Sequence, residues 1–391
     1  VSRELLIAGG GIAGLAAAIG ARRAGWEARL FEQASAFSEV GAGLQLGPNA
    51  TRLLREWGVL QQAQLQAFAP SLLRVRDAVD GRELGVLPLG EQAEQRYGSP
   101  YLTVHRADLH GALLRQACDA GVRLHEGVRI ASARVDGTTV LARTGTGAEV
   151  EAEALAVADG VWSELRQQLV GDGPAPATGH VAYRALLPRE DAPPQLKVGE
   201  VQAWLGPRMH LVTYPVRAGS AVNVVGFVEG RVAGAGWDHA AQADALRETA
   251  AGLCRALQAV VEAVPEWRLW PVHDRAPLQG PGQMARGRAA LLGDAAHPMR
   301  PYLAQGAGMA LEDAAGLQRV LQPCDDRVLD VPTALRRFAL NRWERCARVQ
   351  QRSRRNGRIF HADGLVRLGR NLALRAGGES LLDLPWLYRG G

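Results

Sequence analysis

The chain has 391 residues, 47% of them apolar, and a formal net charge of +5. It is long enough for a large core and two domains, and too apolar to be intrinsically disordered. No stretch approaches the run of about 20 apolar residues that a membrane helix needs, so no integral membrane segment is expected.

The basic excess is almost entirely arginine, with Lys197 the only lysine, and it is spread along the chain. Its densest run, residues 348–358, lies among Phe338, Trp343 and Val349 at helical spacing and reads as a solvated helix face. Nucleic acid is therefore not an expected partner. Cys118, Cys254, Cys324 and Cys346 are isolated and form no CxxC. Together with a first strand that opens the chain, they read as reduced thiols in cytoplasm.

The chain opens with a short strand, Glu4 to Ala8, followed by Gly9, Gly11 and Gly14 in G-x-G-x-x-G. An alanine-rich helix to about Arg23 and a second strand ending at Glu32 complete the unit. Gly9 permits the sharp turn, Gly11 lets a pyrophosphate approach the helix N-terminus, and Gly14 lets the helix lie close on the sheet. Glu32 stands where a carboxylate accepts from an adenosine ribose. The fingerprint points to a dinucleotide and by itself fits FAD or NAD equally. Residues 41–58 follow as a glycine-rich loop, with Gly41, Gly43 and Gly47 suited to a flat ring laid against backbone; Asn49 or Thr51 would cap the next helix.

Residues 104–121 read as a helix burying Leu109, Leu113 and Leu114, with Arg106 at its start, where a cation gains nothing from the helix dipole. Short strands and hairpins lead to Asp159-Gly160. After Pro174 and Pro176, strand-like runs suggest an inserted antiparallel sheet carrying Tyr183, Arg184, Trp204, Met209, His210 and Tyr214. A period of two puts His210, Val212 and Tyr214 on one face, and the histidine and tyrosine are expected as near neighbours. A core imidazole bonded to backbone is the alternative for His210. Residues 240–263 read as amphipathic helix, residues 269–278 as a returning strand, and the strand at 289–293 leads into Asp294. The last third is helical.

Three motifs together, GGGIAG at 9–14, DGVWSELR at 159–166 and GDAAHPMRPYLAQGAGMALEDA at 293–314, resemble the class A FAD-dependent aromatic hydroxylases. The resemblance is nearest to salicylate, 3-hydroxybenzoate and 6-hydroxynicotinate hydroxylases and covers nearly the whole chain. It implies an α/β fold: a Rossmann-like FAD-binding domain, an inserted mostly antiparallel substrate sheet and a helical C-terminal region. The FAD-binding domain is expected at 1–75, 101–175 and 276–320, with an excursion toward the sheet at 76–100, the substrate sheet at 176–275 and C-terminal helices at 321–391.

The resemblance also implies FAD as cofactor, NADH or NADPH as co-substrate, and a flavin hydroperoxide that hydroxylates a small electron-rich aromatic or N-heteroaromatic ring. Gly9, Gly11, Ile12, Ala13 and Gly14 would hold the pyrophosphate and Glu32 the ribose, with Gly43, Leu44 and Gln45 beside the cofactor. Arg106 would reach the ribityl and phosphate region; Asp159, Gly160 and Arg166 would serve the second motif, completed by Ser163. Gly293 and Asp294 would meet the ribityl chain, and Gly306, Ala307, Gly308 and Met309 the pyrimidine edge.

For catalysis it implies His210 as base, Tyr214 as its orienting partner, Pro298 beside the oxygen site, and Tyr302 where the hydroxynicotinate enzyme has histidine. Tyr183, Arg184, Trp204 and Met209 are the candidate substrate contacts. A single dinucleotide fingerprint fits this family, whereas a disulfide reductase would carry a second one and CxxxxC. WRLWPV at 267–272 lacks the tryptophan spacing of flavin halogenases. An epoxidase or hydroxylase of a larger natural product and a non-catalytic flavin-binding relative stay open, as do a monomer and a homodimer.

Overall fold

The computed structural model describes residues 3–37, 42–230, 239–241, 244–323 and 329–390. Gly41 and Cys324 lie outside them. The opening unit forms as its glycines require. The strand Glu4–Ala8 leads into the helix Ile12–Arg23, which has Gly11 at its N-cap and no side-chain cap, and then into the strand Glu27–Phe31. Gly9 has φ +103°, and a Cβ there would meet the Ala158 carbonyl oxygen at 2.3 Å. Only glycine allows that turn against the neighbouring strand.

These strands belong to a sheet whose order runs Ala285–Arg286, Ala289–Leu291, Ala154–Val157, Glu4–Ala8, Glu27–Phe31, Arg123–His125. Every pair is parallel except the first. The helix Gly306–Leu321 packs against Ile12–Arg23, where Gly20 brings the backbones together: its Cβ would lie 3.1 Å from the Ala314 carbonyl oxygen.

The second sheet is larger and mixed. Its order is His239–Ala241, Trp267–His273, Ala177–Pro188, Ala221–Glu229, Met209–Val216, Glu200–Gly206, Leu72–Asp77, Glu83–Pro88. One pair, Glu200–Gly206 with Leu72–Asp77, is parallel. Alternation along the strands gives it two faces. One carries Tyr183, Trp204, Met209, Leu211, Val222 and Val224 and packs with Leu246, Leu257 and Val260 of the helices Asp244–Ala251 and Arg255–Glu262. The other carries Ala182, Val212, Tyr214, Val225, Phe227 and Trp270.

The helix Val331–Phe360 ties the two halves together. Its Arg342 donates to Glu312 and Asp313, and Gln350 donates to the Pro298 carbonyl. The arginine-rich run is only partly solvated: Arg348 lies over the Trp386 ring and Arg354 pairs with Asp274. Cys118, Cys254 and Cys346 are free thiols, and no helix of the described residues is long and apolar enough to cross a membrane.

Candidate functional site

A cavity of about 560 Å³ opens between the parallel sheet and the second face of the mixed sheet. At one end the wall is Gly9, Gly11, Ile12, Ala13 and Glu32. Here the N-terminus of Ile12–Arg23 has no side-chain cap, so its amides are available to an anion. Glu32 accepts from the Gly10 and Ala34 amides at 2.7 and 2.8 Å, which fixes the carboxylate at the cavity rim.

Further in stand Gly43, Leu44, Gln45, Arg106, Asp159, Gly160, Asp294, Gly306 and Ala307. Gly306–Leu321 begins here, again without a side-chain cap. Asp159 is half-buried, yet its Oδ1 is fully buried with no hydrogen-bond partner. Burial pushes its pKa up to about 6 against the hydrogen bond from Ser163. An extended ligand with phosphate at one end and hydroxyls near Asp159 would satisfy these groups, and FAD has that chemistry.

Of the remaining residues expected at the cofactor, Gly14, Arg166, Gly293, Gly308 and Met309 lie behind the wall rather than on it. Gly14 has no room for a side chain, since a Cβ would sit 1.9 Å from the Gly9 carbonyl oxygen. Buried Arg166 donates to Asp172 and to the carbonyls of Ala295 and Ala296, clamping the loop that carries Asp294. Gly293 donates its amide to Asp313 at 2.9 Å. Gly308 faces Gln305 and Asn49, and Met309 packs with Val349 and Leu387.

The inner end of the cavity is apolar, walled by Ala182, Val212, Val225, Phe227, Trp270, Pro298 and Met299, with Arg184 and Tyr214 as its polar groups. Arg184 lies 5.2 Å from the Trp270 ring centre, and its buried Nε has no hydrogen-bond partner. Burial, with Arg106 nearby, holds its pKa below the usual guanidinium value. An anion would relieve both effects.

Tyr183, Trp204 and Met209 are on the opposite face of the sheet, so the ring walls expected from them come instead from Ala182, Val212, Val225, Phe227 and Trp270. His210 and Tyr214 share a face, yet they are not neighbours. Four residues of extended chain separate them by about 13 Å. Tyr214 donates to the Gly43 carbonyl at 2.6 Å, and its ring fills the space where a Gly43 Cβ would be. The close approach that needs Gly43 is therefore to Tyr214. Neither Asn49 nor Thr51 caps its helix, because their side chains are engaged with Gln305, Glu312 and the Pro100 carbonyl.

His210 is buried beyond the apolar wall. It stacks on Phe227 with ring centres 4.7 Å apart and meets Tyr302 edge-on at 4.9 Å. Its Nδ1 lies 2.7 Å from Nε2 of His361, a partner that no motif marks. His180 completes the cluster, 5.2 Å from the His361 ring. Burial and the other imidazoles hold His210 well below the ordinary histidine pKa, and burial holds His361 at about 3. The Tyr302 hydroxyl is buried without a partner, and burial pushes its pKa up.

A family model for the FAD binding domain matches residues 3–324. The chain belongs to the class A FAD-dependent aromatic hydroxylases. It is 38% identical over 387 residues to 3-hydroxybenzoate 6-hydroxylase of Polaromonas naphthalenivorans, covering 98% of this chain and 95% of the relative. It is also 38% identical to 6-hydroxynicotinate 3-monooxygenase of Bordetella bronchiseptica, over 90% of this chain and 91% of that one. Among solved structures, a salicylate hydroxylase substrate complex superposes with a TM-score of 0.83 at 24% identity, covering 99% and 95% of the two chains. The hydroxylase is thus an enzyme that binds FAD and uses NAD(P)H and O2 to oxygenate small aromatic or heteroaromatic substrates.

Proposed function

We propose that this hydroxylase acts on a small anionic phenol, a hydroxybenzoate or its nitrogen analogue, whose ring enters the apolar end of the cavity with its carboxylate at Arg184. The observation that carries this reading is the half-buried Arg184, whose buried Nε has no partner, beside an apolar slot lined by Val212, Val225, Phe227 and Trp270. A neutral substrate would leave that cation uncompensated. Curated relatives act, by their names, on 3-hydroxybenzoate, 6-hydroxynicotinate and 3-amino-4-hydroxybenzoate, all of them small acids.

Bound FAD supplies the redox chemistry, taking electrons from NAD(P)H and activating O2 for transfer to the ring. The protein's own residues bind, orient and exclude water. Gly9, Gly11 and the helix that follows hold the pyrophosphate, Glu32 the ribose, and Asp159 and Asp294 the hydroxyls further in; Arg106, Gly43, Leu44 and Gln45 flank the cofactor. Pro298 borders the place where oxygen meets the ring.

As base, His210 would take the phenolic proton and make the ring carbon more nucleophilic; it lies behind Phe227 and does not line the cavity, so substrate binding has to bring the hydroxyl past that ring. Burial keeps His210 neutral at pH 7, so an acceptor lone pair is present throughout the physiological range. A panel of 3-hydroxybenzoate, salicylate, 6-hydroxynicotinate, 3-amino-4-hydroxybenzoate and unsubstituted phenol, scored by oxygen uptake with product mass, tests the reading. Oxygenated product is expected from carboxylated phenols, with kcat/KM for phenol lower by roughly 10- to 100-fold, and Arg184→Met should erase that preference. Phenol turned over as well as the acids by the native enzyme would contradict it.

A further inference from the structure

The helix Gly364–Gly377, far from the cavity wall, is turned apolar side out. A surface helix ordinarily buries its apolar stripe and shows its charges to water. Here Arg370 and Asn371 are buried, whereas Leu365, Val366 and Leu372 are 86%, 68% and 67% exposed. Leu368 is exposed beside them, and Leu381 of the next helix, Glu379–Leu382, covers Gly377 and widens the patch.

The cause is Asp77, which ends the strand Leu72–Asp77 and is fully buried. Its carboxylate accepts from Arg367 Nε and Nη2 at 2.8 and 2.7 Å, from Arg370 Nη2 at 3.1 Å and from Asn371 Nδ2 at 2.7 Å. Arg367, Arg370, Asn371 and the half-buried Leu374 recur at helical spacing and form the inward face. Rolling the helix over to bury its leucines would strip a buried carboxylate of its counter-charges. The helix is therefore locked with Leu365, Gly369, Leu372 and Ala376 along the centre of its outward face, and Val366 and Ala373 to one side.

The sizes along that face say what covers it. A second copy of the helix, laid antiparallel about a two-fold axis level with Arg370 and Asn371, brings Leu365 against Ala376 of the other copy and Leu372 against Gly369. The same axis sets Val366 near Ala373 and lets the Arg375 stem lie over Leu368. Each large residue then meets a small one, whereas a parallel pair would set leucine on leucine. Gly369 is exposed, and a Cβ there would meet nothing within 4 Å, so the partner's Leu372 has an open hole to fill. A lipid surface fits less well, because two of the helix's three arginines are spent on Asp77 and only Arg375 is exposed. We propose that the outward face of Gly364–Gly377 pairs with the same face of a second copy, antiparallel, and makes the hydroxylase a homodimer.

Sedimentation velocity of FAD-loaded enzyme from 1 to 100 µM, scored with FAD content and melting temperature, tests the pairing. Native enzyme is expected at twice the chain mass. Leu365→Glu with Leu372→Glu should raise the dissociation constant roughly 100-fold or more at native FAD content, because both side chains are exposed in the single chain and each counts twice in the dimer. Cross-linking reads the direction. Leu365→Cys with Ala376→Cys should form a covalent dimer on mild oxidation, while Leu365→Cys alone, its twin about 16 Å away along the axis, should add nothing to the background from exposed Cys118.

Native enzyme that stays single through 100 µM overturns the proposal, as does a dimer that survives the two glutamates. Cross-linking of Leu365→Cys alone would mean a parallel pair and refutes the arrangement. A single chain that sediments with phosphatidylglycerol vesicles, and is released by the two glutamates, would give the face to lipid instead.

Discussion

Asp159 shows how one side chain can be placed for a ligand at the expense of the unliganded fold. Its Oδ1 is buried with no partner, and burial raises its pKa from the usual carboxylate value to about 6. The sign of the pH effect follows. Because the folded pKa is raised, the unfolded chain ionises first, so folded apo-protein loses stability as pH rises between about 4 and 6 and stays penalised above. Asp159→Asn should therefore stabilise apo-protein at pH 7, on the order of 1 to 3 kcal/mol, with the gain vanishing near pH 4. The same substitution should weaken FAD binding. Urea unfolding of FAD-free protein at pH 4 and 7, together with an FAD titration, checks both; equal stability at pH 7 would mean that Asp159 is satisfied without cofactor.

At the level of elements, the helices Gly306–Leu321 and Val331–Phe360 are joined by a buried ionic network. Asp313 accepts from the Gly293 amide, from His297 at 2.5 Å and from Arg342 at 2.9 Å, while Glu312 takes Arg342, Arg345 and Asn49. The network holds the loop carrying Asp294 and Pro298 against the cavity. Asp313 raises the pKa of His297 well above its ordinary value despite burial, and the partners of Asp313 lower its own. Stability from His297 is complete below its unfolded value near 6.5 and is lost as pH rises through its folded value; that from Asp313 is lost as pH falls through its lowered value. Asp313→Asn leaves buried cations unpaired and should cost about 3 to 5 kcal/mol in urea unfolding at pH 7. A cost below 1 kcal/mol would show that the pairs are not formed in solution.

Sequence alone reached the first unit, because glycine spacing, helix and acid are local and have one geometric reading. It also reached the strand runs of the mixed sheet. It did not reach which face of those strands meets the cavity, since a mostly apolar strand such as Ala221–Glu229 carries no clear alternation. Tyr183 and Ala182 were equally eligible for the wall, and the helices packed behind the sheet decided between them. The separation of 151 positions between His210 and His361 hid their contact, for no motif marks His361. The spacing already assigned Gly14 its work of admitting the helix, whereas Arg166 was visible as a motif residue and its clamping of the loop became apparent only in three dimensions.

At the scale of the whole molecule, the two sheets enclose one continuous cavity that runs from uncapped helix amides, suited to pyrophosphate, to an apolar slot with a half-buried arginine. The cofactor end follows from backbone geometry, and the ring end from side chains of the mixed sheet. That division accounts for a shared family fold with a substrate preference set by few residues. It also predicts that substitutions at the slot change which ring is oxidised while FAD stays bound. The most direct measurement of the central claim is the mass of the product formed from 3-hydroxybenzoate by FAD-loaded enzyme with NAD(P)H under isotopically heavy dioxygen. The account predicts a hydroxylated ring carrying one heavy oxygen atom from O2; NAD(P)H consumption yielding only hydrogen peroxide across the whole panel of carboxylated phenols, with no labelled product, would contradict it.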